Sequence, residues 1–264
     1  MKPLRISLIQ GDTRWHDPAG NRDQYGRRLR DLAGATDLVV LPETFTSGFS
    51  NDALERAEGM AGPTVVWLRE SAAEIGAVIA GSVQIRTEQG VYNRLLWARP
   101  DGSIGQYDKR HLFRMAGEHE RYAAGSERMV FELAGWRICP LVCYDLRFPV
   151  FSRNRFDPQH QRFDYDLLLF VANWPAARRE HWRTLLRARA IENLAWVAAV
   201  NRVGRDGNDI DYAGDSAVID PLGRTLAELA FEPATVTLTL SGELLQEHRR
   251  RFPAQLDADR FELI

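Results

Sequence analysis

The chain has 264 residues, a formal net charge of -2 at pH 7, 45% hydrophobic residues and 27% charged residues. This composition is typical of a folded globular protein and excludes the collagen-like, low-complexity and intrinsically disordered classes. Because the net charge is close to zero, we predict neither nucleic acid nor a membrane as a partner.

Segments that would direct the chain to a membrane or an oxidising compartment are not recognisable. No apolar run approaches the ~20 residues of a membrane span, and the first ten residues do not resemble a signal peptide. Cys139 and Cys143 lie four residues apart, and Pro140 excludes a helix between them. In a strand their α-carbons would lie ~13 Å apart, whereas the α-carbons of a disulfide lie within about 7 Å of each other. We therefore predict two free thiols and a cytoplasmic location.

Short apolar runs alternate with longer amphipathic stretches along the chain. The runs predict strands over residues 5–10, 37–41, 77–84, 93–98, 136–143, 167–172, 196–201, 217–220 and 235–240. The stretches predict helices over 19–34, 64–75 and 177–193, and another from about residue 242. Several strands are apolar throughout, as strands covered on both faces are. Without a linker or repeat, this pattern predicts a single α/β domain over residues 1–264.

The third predicted helix carries a row of basic residues, Arg178, Arg179, Arg183 and Arg187. Such a row is more often a solvated helix face than a nucleic-acid site. We predict a solvated face.

Reactive side chains follow two of the apolar strands. Glu43 comes just after the strand 37–41, where α/β proteins commonly bind ligands. Cys143 closes the strand 136–143, where a thiol can project into a pocket. Taken alone, Glu43 could be an ordinary turn residue and Cys143 a buried structural cysteine.

Lys109 stands out because the chain almost never uses lysine. Of its 34 basic residues, 32 are arginines, and the only other lysine is Lys2, beside the first residue. A compact ammonium can donate to a developing oxyanion where a wide planar guanidinium would not fit. Together, Cys143, Glu43 and Lys109 supply a nucleophile, a proton acceptor and a cation, the set that covalent catalysis requires.

These residues stand in motifs that resemble the nitrilase, or carbon–nitrogen hydrolase, superfamily, and within it the omega-amidase branch. The resemblance runs from residue 6 to residue 223. It rests on Leu-Pro-Glu-Thr-Phe at 41–45, Lys-Arg-His-Leu-Phe at 109–113 and Cys-Tyr-Asp-Leu-Arg-Phe-Pro at 143–149. The resemblance implies that Glu43, Lys109 and Cys143 form the family's catalytic triad. It also implies a four-layer αββα sandwich that assembles into a homo-oligomer, at least a dimer.

The family also has a second glutamate between the lysine and the cysteine, and the chain offers Glu118 and Glu120 there. Glu118 is preferred because it lies seven residues before Gly125, which matches the family's spacing. The motif Asn173-Trp174-Pro175 resembles the family's pocket wall. Asn173 and Trp174, together with Phe113 and Tyr144, form the predicted substrate-binding set.

The resemblance implies hydrolysis of the terminal amide of a short 2-oxo acid such as 2-oxoglutaramate, through a cysteine thioester and with no metal or other cofactor. A nitrilase, an N-carbamoyl hydrolase or an aliphatic amidase would use the same triad. A catalytically inactive binding scaffold and a redox sensor are the alternatives from other classes. Arg147 or another pocket arginine could meet the substrate carboxylate, but Arg147 is expected to form an internal ion pair, so no residue is assigned to this role.

Overall fold

Two six-stranded mixed sheets form the centre of the computed structural model, which describes residues 1–259, 261 and 262. The first sheet has the order β16-β1-β2-β3-β4-β5. Its strands are β1 (Leu4–Gln10), β2 (Leu38–Val40), β3 (Val78–Thr87), β4 (Gly90–Ala98), β5 (Ile104–Asp108) and β16 (Ala234–Leu240). Strands β1, β2 and β3 are parallel, whereas β4 is antiparallel to both β3 and β5. Strands β2 and β5 therefore end at the same edge.

The second sheet has the order β15-β14-β11-β10-β7-β6, with β7, β10 and β11 parallel. Its strands are β6 (Phe131–Leu133), β7 (Trp136–Val142), β10 (Leu167–Ala172), β11 (Trp196–Asn201), β14 (Ala217–Ile219) and β15 (Thr225–Glu228). Two small hairpins lie outside the sheets: β8 (Phe156–Asp157) with β9 (Arg162–Phe163), and β12 (Val203–Arg205) with β13 (Asp211–Ala213).

Helices cover the outer faces of the sheets. They are α1 (Pro18–Arg30), α2 (Pro63–Ile75), α3 (Pro149–Ser152), α4 (Arg179–Asn193) and α5 (Gly242–Arg251). Helices α1 and α2 bury Leu29 and Leu68 against the first sheet, and α4 buries Trp182 and Leu186 in the core of the second. The predicted four-layer αββα sandwich is therefore confirmed.

The largest buried cluster lies between the two sheets. Leu8 and Trp97 of the first sheet share it with Ile138 and Leu169 of the second, and all four are fully buried. Burying a side chain of this size stabilises the folded state by roughly 1.5–3 kcal/mol. This cluster therefore holds the two sheets together, and with them the strand ends.

All nine predicted strands are present, with differences at their ends. The strand predicted over 136–143 ends at Val142, because Cys143 adopts the left-handed region with a φ of 45°. The helix predicted over 19–34 ends at Arg30. The sequence pattern missed β5, β6, the short hairpin strands and β15. These strands have two to five residues, too few to show a period.

Along the described residues, no helix combines the length and the apolar character that crossing a membrane requires.

Candidate active site

The carboxyl ends of several strands meet at one edge of the sandwich. Glu43 and Lys109 follow β2 and β5 of the first sheet. Cys143 and Asn173 follow β7 and β10 of the second. The parallel direction of these strands brings all four residues to one cavity, although they are distant in sequence.

Glu43 is buried and held by donors on both carboxylate oxygens. Its Oε1 accepts hydrogen bonds from Lys109 Nζ at 3.0 Å and Asn93 Nδ2 at 2.7 Å. Its Oε2 accepts one from the backbone N–H of Asn173 at 2.7 Å. The next residue, Thr44, has a φ of 41° and donates its backbone N–H to Ser82 Oγ at 2.8 Å. The carboxylate is therefore fixed from both sheets.

Lys109 lies between two carboxylates. Its Nζ is 2.9 Å from both oxygens of Glu118 and 3.0 Å from Glu43 Oε1. Burial alone would lower the pKa of Lys109, but the charges of Glu118 and Glu43 outweigh burial and raise that pKa well above its usual value. Lys109 is therefore an ammonium ion, with its donors directed by the two carboxylates.

The structure places Glu118, and not Glu120, beside this ammonium. Glu118 is fully buried and its Oε2 accepts the backbone N–H of Phe113 at 2.6 Å. Burial raises the pKa of Glu118, and the charge of Lys109 opposes that rise. The side chain of Glu120 is 70% exposed. The loop that carries Glu118 returns to the end of β5 at Gly125. A Cβ at Gly125 would lie 2.1 Å from the carbonyl oxygen of Asp108, so this close approach requires glycine.

A one-turn 3₁₀ helix over residues 143–147 presents the Cys143 thiol. The left-handed φ of Cys143 strains the backbone, and Asp145 holds that turn in place. Asp145 Oδ2 accepts the backbone N–H of Val142 at 2.9 Å and the hydroxyl of Tyr107 at 2.7 Å. Its Oδ1 accepts the backbone N–H of His111 at 3.0 Å and lies 2.7 Å from that ring's Nδ1.

The two cysteines are both free thiols, as predicted, but only Cys143 lines the cavity. Burial, and then the charge of Glu43, raises the pKa of Cys143 well above its usual value, although Lys109 lowers it. Burial raises the pKa of Cys139 to about 12. Since Cys143 is a neutral thiol at rest, attack by its sulfur requires a base, and Glu43 is the neighbouring carboxylate.

The cavity at this edge has a volume of about 70 Å³. The predicted substrate-binding residues Phe113, Tyr144, Asn173 and Trp174 all line it. Asn173 also holds the loop of Glu43, because its Nδ2 donates to the Glu43 carbonyl at 2.8 Å. Pro175, the third residue of the predicted wall motif, and Arg147 line the cavity as well. The remaining wall residues, which the sequence did not indicate for this site, are Phe49, Ala116, Arg178, Ile210 and Tyr212.

The structure differs from the expectation for Arg147 and, in part, from the expectation of a solvated basic row. Arg147 was expected in an internal ion pair, but its Nη2 contacts His181 Nδ1 at 3.0 Å and its guanidinium lies over the Trp174 ring, 4.6 Å from the centroid. The row of basic residues that begins just before α4 is not uniformly solvated, although Arg187 is exposed. Arg178 lines the cavity, and Arg179 forms an ion pair with the buried Asp215 at 2.7 Å. Helical spacing could not show this, because Arg178 lies in the turn before α4 and Asp215, the partner of Arg179, is distant in sequence.

Within the described part of the chain, no group of three or more histidine, cysteine and acidic side chains is arranged to hold a metal ion.

The profile of the carbon–nitrogen hydrolase family matches residues 5–250. The chain belongs to this family. This carbon–nitrogen hydrolase is 50% identical to omega-amidase YafV of Escherichia coli (strain K12), over all of both chains. It is 36% identical to 2-oxoglutaramate amidase of Bacillus subtilis (strain 168), over 94% of this chain and 95% of that one.

Solved structures of similar proteins have the same fold. A carbon–nitrogen hydrolase superfamily protein of Xanthomonas campestris, with an arsenic adduct in its active site, superposes with a TM-score of 0.99 at 66% identity over the whole of both chains. Saccharomyces cerevisiae Nit3 shares the fold, with a TM-score of 0.83 at 22% identity, over 95% of this chain and 94% of that one. The predicted resemblance is confirmed, and the chain is an amidase of this family.

Proposed function

We propose that this carbon–nitrogen hydrolase is an omega-amidase that uses Cys143 as its nucleophile and releases ammonia from the terminal amide of a short 2-oxo dicarboxylic acid monoamide, such as 2-oxoglutaramate. The observation that carries the proposal is the contact of Lys109 with both Glu43 and Glu118, in the cavity lined by Cys143. The names of the two relatives at 50% and 36% identity support the substrate class.

In the first half of the proposed reaction, Glu43 takes the proton of the Cys143 thiol as the sulfur attacks the amide carbon. A carbon–sulfur bond forms and the carbonyl oxygen becomes an oxyanion. Lys109 Nζ and the backbone N–H of Tyr144 stabilise this oxyanion. As the oxyanion collapses, the carbon–nitrogen bond breaks. Glu43 returns its proton to the leaving nitrogen, and ammonia departs from a neutral thioester.

In the second half, Glu43 takes a proton from water as the water oxygen attacks the thioester carbon. The carbon–sulfur bond then breaks, the sulfur recovers the proton from Glu43, and the carboxylic acid leaves. Nothing is oxidised or reduced. Because Glu118 contacts Lys109 through both oxygens, its role is to position the ammonium.

The buried charges argue against an inactive scaffold. Taking an ammonium and two carboxylates out of water costs several kcal/mol per ion, and a binding protein would gain nothing from that cost at a cavity. A redox sensor would need a second thiol within reach of Cys143. Cys139 is fully buried in the core on β7 and does not line the cavity. The homo-oligomeric assembly and the cytoplasmic location remain predictions.

An ammonia-release assay on a panel of compounds tests the proposal. We expect the wild type to hydrolyse 2-oxoglutaramate and other short monoamides, and Cys143→Ala to abolish release, while Cys139→Ala retains it. Faster release from a nitrile, an N-carbamoyl amino acid or a simple aliphatic amide would instead indicate one of the other activities of the family. Equal labelling of Cys143 and Cys139 by iodoacetamide, without turnover of any compound, would indicate a scaffold.

A further inference from the structure

Asn93 is a polar residue on an otherwise apolar face of β4. Side chains alternate along a strand, so Asn93 shares its face with Leu95 and Trp97, which are fully buried between the two sheets. Asn93 itself is 1% exposed. A buried amide is costly unless its nitrogen and oxygen find hydrogen-bond partners. The partners of Asn93 therefore indicate whether it contributes to the packing of the core or to the site.

Only the nitrogen of this amide is satisfied. Asn93 Nδ2 donates to Glu43 Oε1 at 2.7 Å, whereas Asn93 Oδ1 is buried without a hydrogen-bond partner among the described residues. An unpaired buried carbonyl oxygen costs free energy, and an apolar side chain of similar size beside Leu95 would avoid that cost. The contribution of the amide is therefore its hydrogen bond to Glu43.

The two oxygens of the Glu43 carboxylate differ in how many of their acceptor directions are filled. Each carboxylate oxygen has two such directions. On Oε1, Asn93 Nδ2 fills one, and Lys109 Nζ, at 3.0 Å, fills the other. On Oε2, the backbone N–H of Asn173 fills one at 2.7 Å.

The side chain of Asn173 does not fill the second direction of Oε2. Its Nδ2 lies 3.4 Å from Oε2, but it is closer to two other acceptors, the carbonyl of Glu43 at 2.8 Å and Thr44 Oγ1 at 2.9 Å. An amide nitrogen has two hydrogens, and these two acceptors take both. Oε2 therefore keeps one acceptor direction open, whereas Oε1 keeps none.

We propose that Asn93 is a positioning residue for the base. Together with Lys109 it fills Oε1, so that Oε2 is the oxygen that takes the proton from Cys143 Sγ and returns it to the leaving nitrogen. The S–H bond breaks as an O–H bond forms at Oε2, and that O–H bond breaks as the N–H bond forms. Asn93 does not line the cavity, so it acts only through Glu43. The inference rests on the proposed function, because it assumes that Glu43 is the base.

The pH dependence of kcat/KM for ammonia release from glutaramate tests this role. Asn93→Leu removes the donor at similar size. A hydrogen bond to a carboxylate favours its charged form, so we expect the acid limb of the profile to move to higher pH. Because Oε1 then competes with Oε2 for the proton, kcat should fall by about 10- to 100-fold, the loss that misplacement of a catalytic group causes. KM should stay nearly unchanged, because Asn93 does not contact the substrate.

Asn93→Asp keeps the shape of the side chain and gives a second measurement. Its carboxyl group can donate to Glu43 Oε1 only while it holds a proton, and once ionised it repels the Glu43 carboxylate. We expect the alkaline limb of the profile to lie at a lower pH than in the wild type.

Asn154→Leu is the matched control, because Asn154 is also buried and its Nδ2 donates to the carbonyls of Tyr165 and Asn193, away from the cavity. It should lower the free energy of unfolding and leave the pH profile of the folded enzyme unchanged. A limb that stays at its wild-type pH in either folded variant of Asn93, with or without a loss of stability, would overturn the positioning role. Failure of the proposed function gives a different result, namely no ammonia from glutaramate or 2-oxoglutaramate with the wild-type enzyme.

Discussion

At the scale of single residues, the site depends on one ammonium between two carboxylates. Lys109 is 1% exposed, and its Nζ has Glu43 and Glu118 within 3.0 Å. A guanidinium is wider and its donors lie in a plane, so it cannot replace an ammonium in this space. The lysine, exceptional in an arginine-rich chain, is explained by this contact.

Lys109→Arg should therefore abolish turnover although it preserves the charge. Loss of an oxyanion donor lowers kcat by about 10²–10³-fold, and we expect at least that loss in ammonia release. The reverse exchange at the neighbouring position is the control. Arg110 is half-buried, with Nη1 donating to the carbonyl of Ser126 at the surface, and Arg110→Lys should retain nearly full activity. Near-normal activity of Lys109→Arg would exclude the oxyanion role.

Glu43→Gln removes both the negative charge and the basicity of Glu43, and the two losses should have different measurable effects. The negative charge of Glu43 raises the pKa of Cys143, so its removal should lower that pKa and leave more thiolate at a given pH. Amide hydrolysis should nevertheless be lost, because the base is missing. Thiolate absorbance near 240 nm, titrated against pH with Cys143→Ala as the blank, measures the shift. A pKa that stays constant or rises would contradict the electrostatic account.

At the scale of elements, the turn after β7 determines where the thiol points. Cys143 adopts a left-handed backbone, and Asp145 accepts hydrogen bonds from Val142, Tyr107 and His111 across that turn. The sequence predicted the strand and the motif correctly. It did not predict that the strand would end one residue early, because Asp145, which holds the turn, also binds Tyr107 and His111, which are 38 and 34 positions away.

Asp145→Asn should loosen this turn, since an amide cannot accept all of these hydrogen bonds. A buried donor left without a partner costs about 1–3 kcal/mol, and we expect that loss of unfolding free energy in a denaturant titration, together with a lower kcat. Asp157→Asn is the control, because Asp157 also accepts a backbone N–H and contacts a histidine Nδ1, but at the surface. A kcat equal to that of the wild type in Asp145→Asn would mean that the turn does not depend on this carboxylate.

At the scale of the whole molecule, the site exists only because two sheets pack together. Glu43 and Lys109 belong to the first sheet, and Cys143 and Asn173 to the second. The sequence predicted Glu43, Cys143 and Asn173 because each follows a recognisable apolar strand. It predicted Lys109 because lysine is rare in this chain, and not from a strand pattern. It could not indicate that Asn93, Arg178 and Tyr212 lie at the site. Asn93 lies inside β4, Arg178 lies just before α4, and Tyr212 lies on the hairpin strand β13. Their proximity to the site arises only from packing.

Leu8→Ala should weaken the packing between the sheets. Leu8 is fully buried in the cluster that joins them, and a buried Leu→Ala change costs about 2–5 kcal/mol. Thermal unfolding should show a lower Tm. Leu226→Ala, at an exposed position on β15, should change stability by less than about 0.5 kcal/mol. Similar Tm values for the two variants would contradict the central role of this cluster.

The most direct test of the central claim is intact-protein and peptide mass spectrometry after rapid acid quench of the enzyme mixed with glutaramate. The account predicts an increase in protein mass equal to the acyl group, located on the peptide that contains Cys143. It also predicts that Cys143→Ala neither gains this mass nor releases ammonia. An acyl group on another residue, or ammonia release by Cys143→Ala at the wild-type rate, would contradict the account.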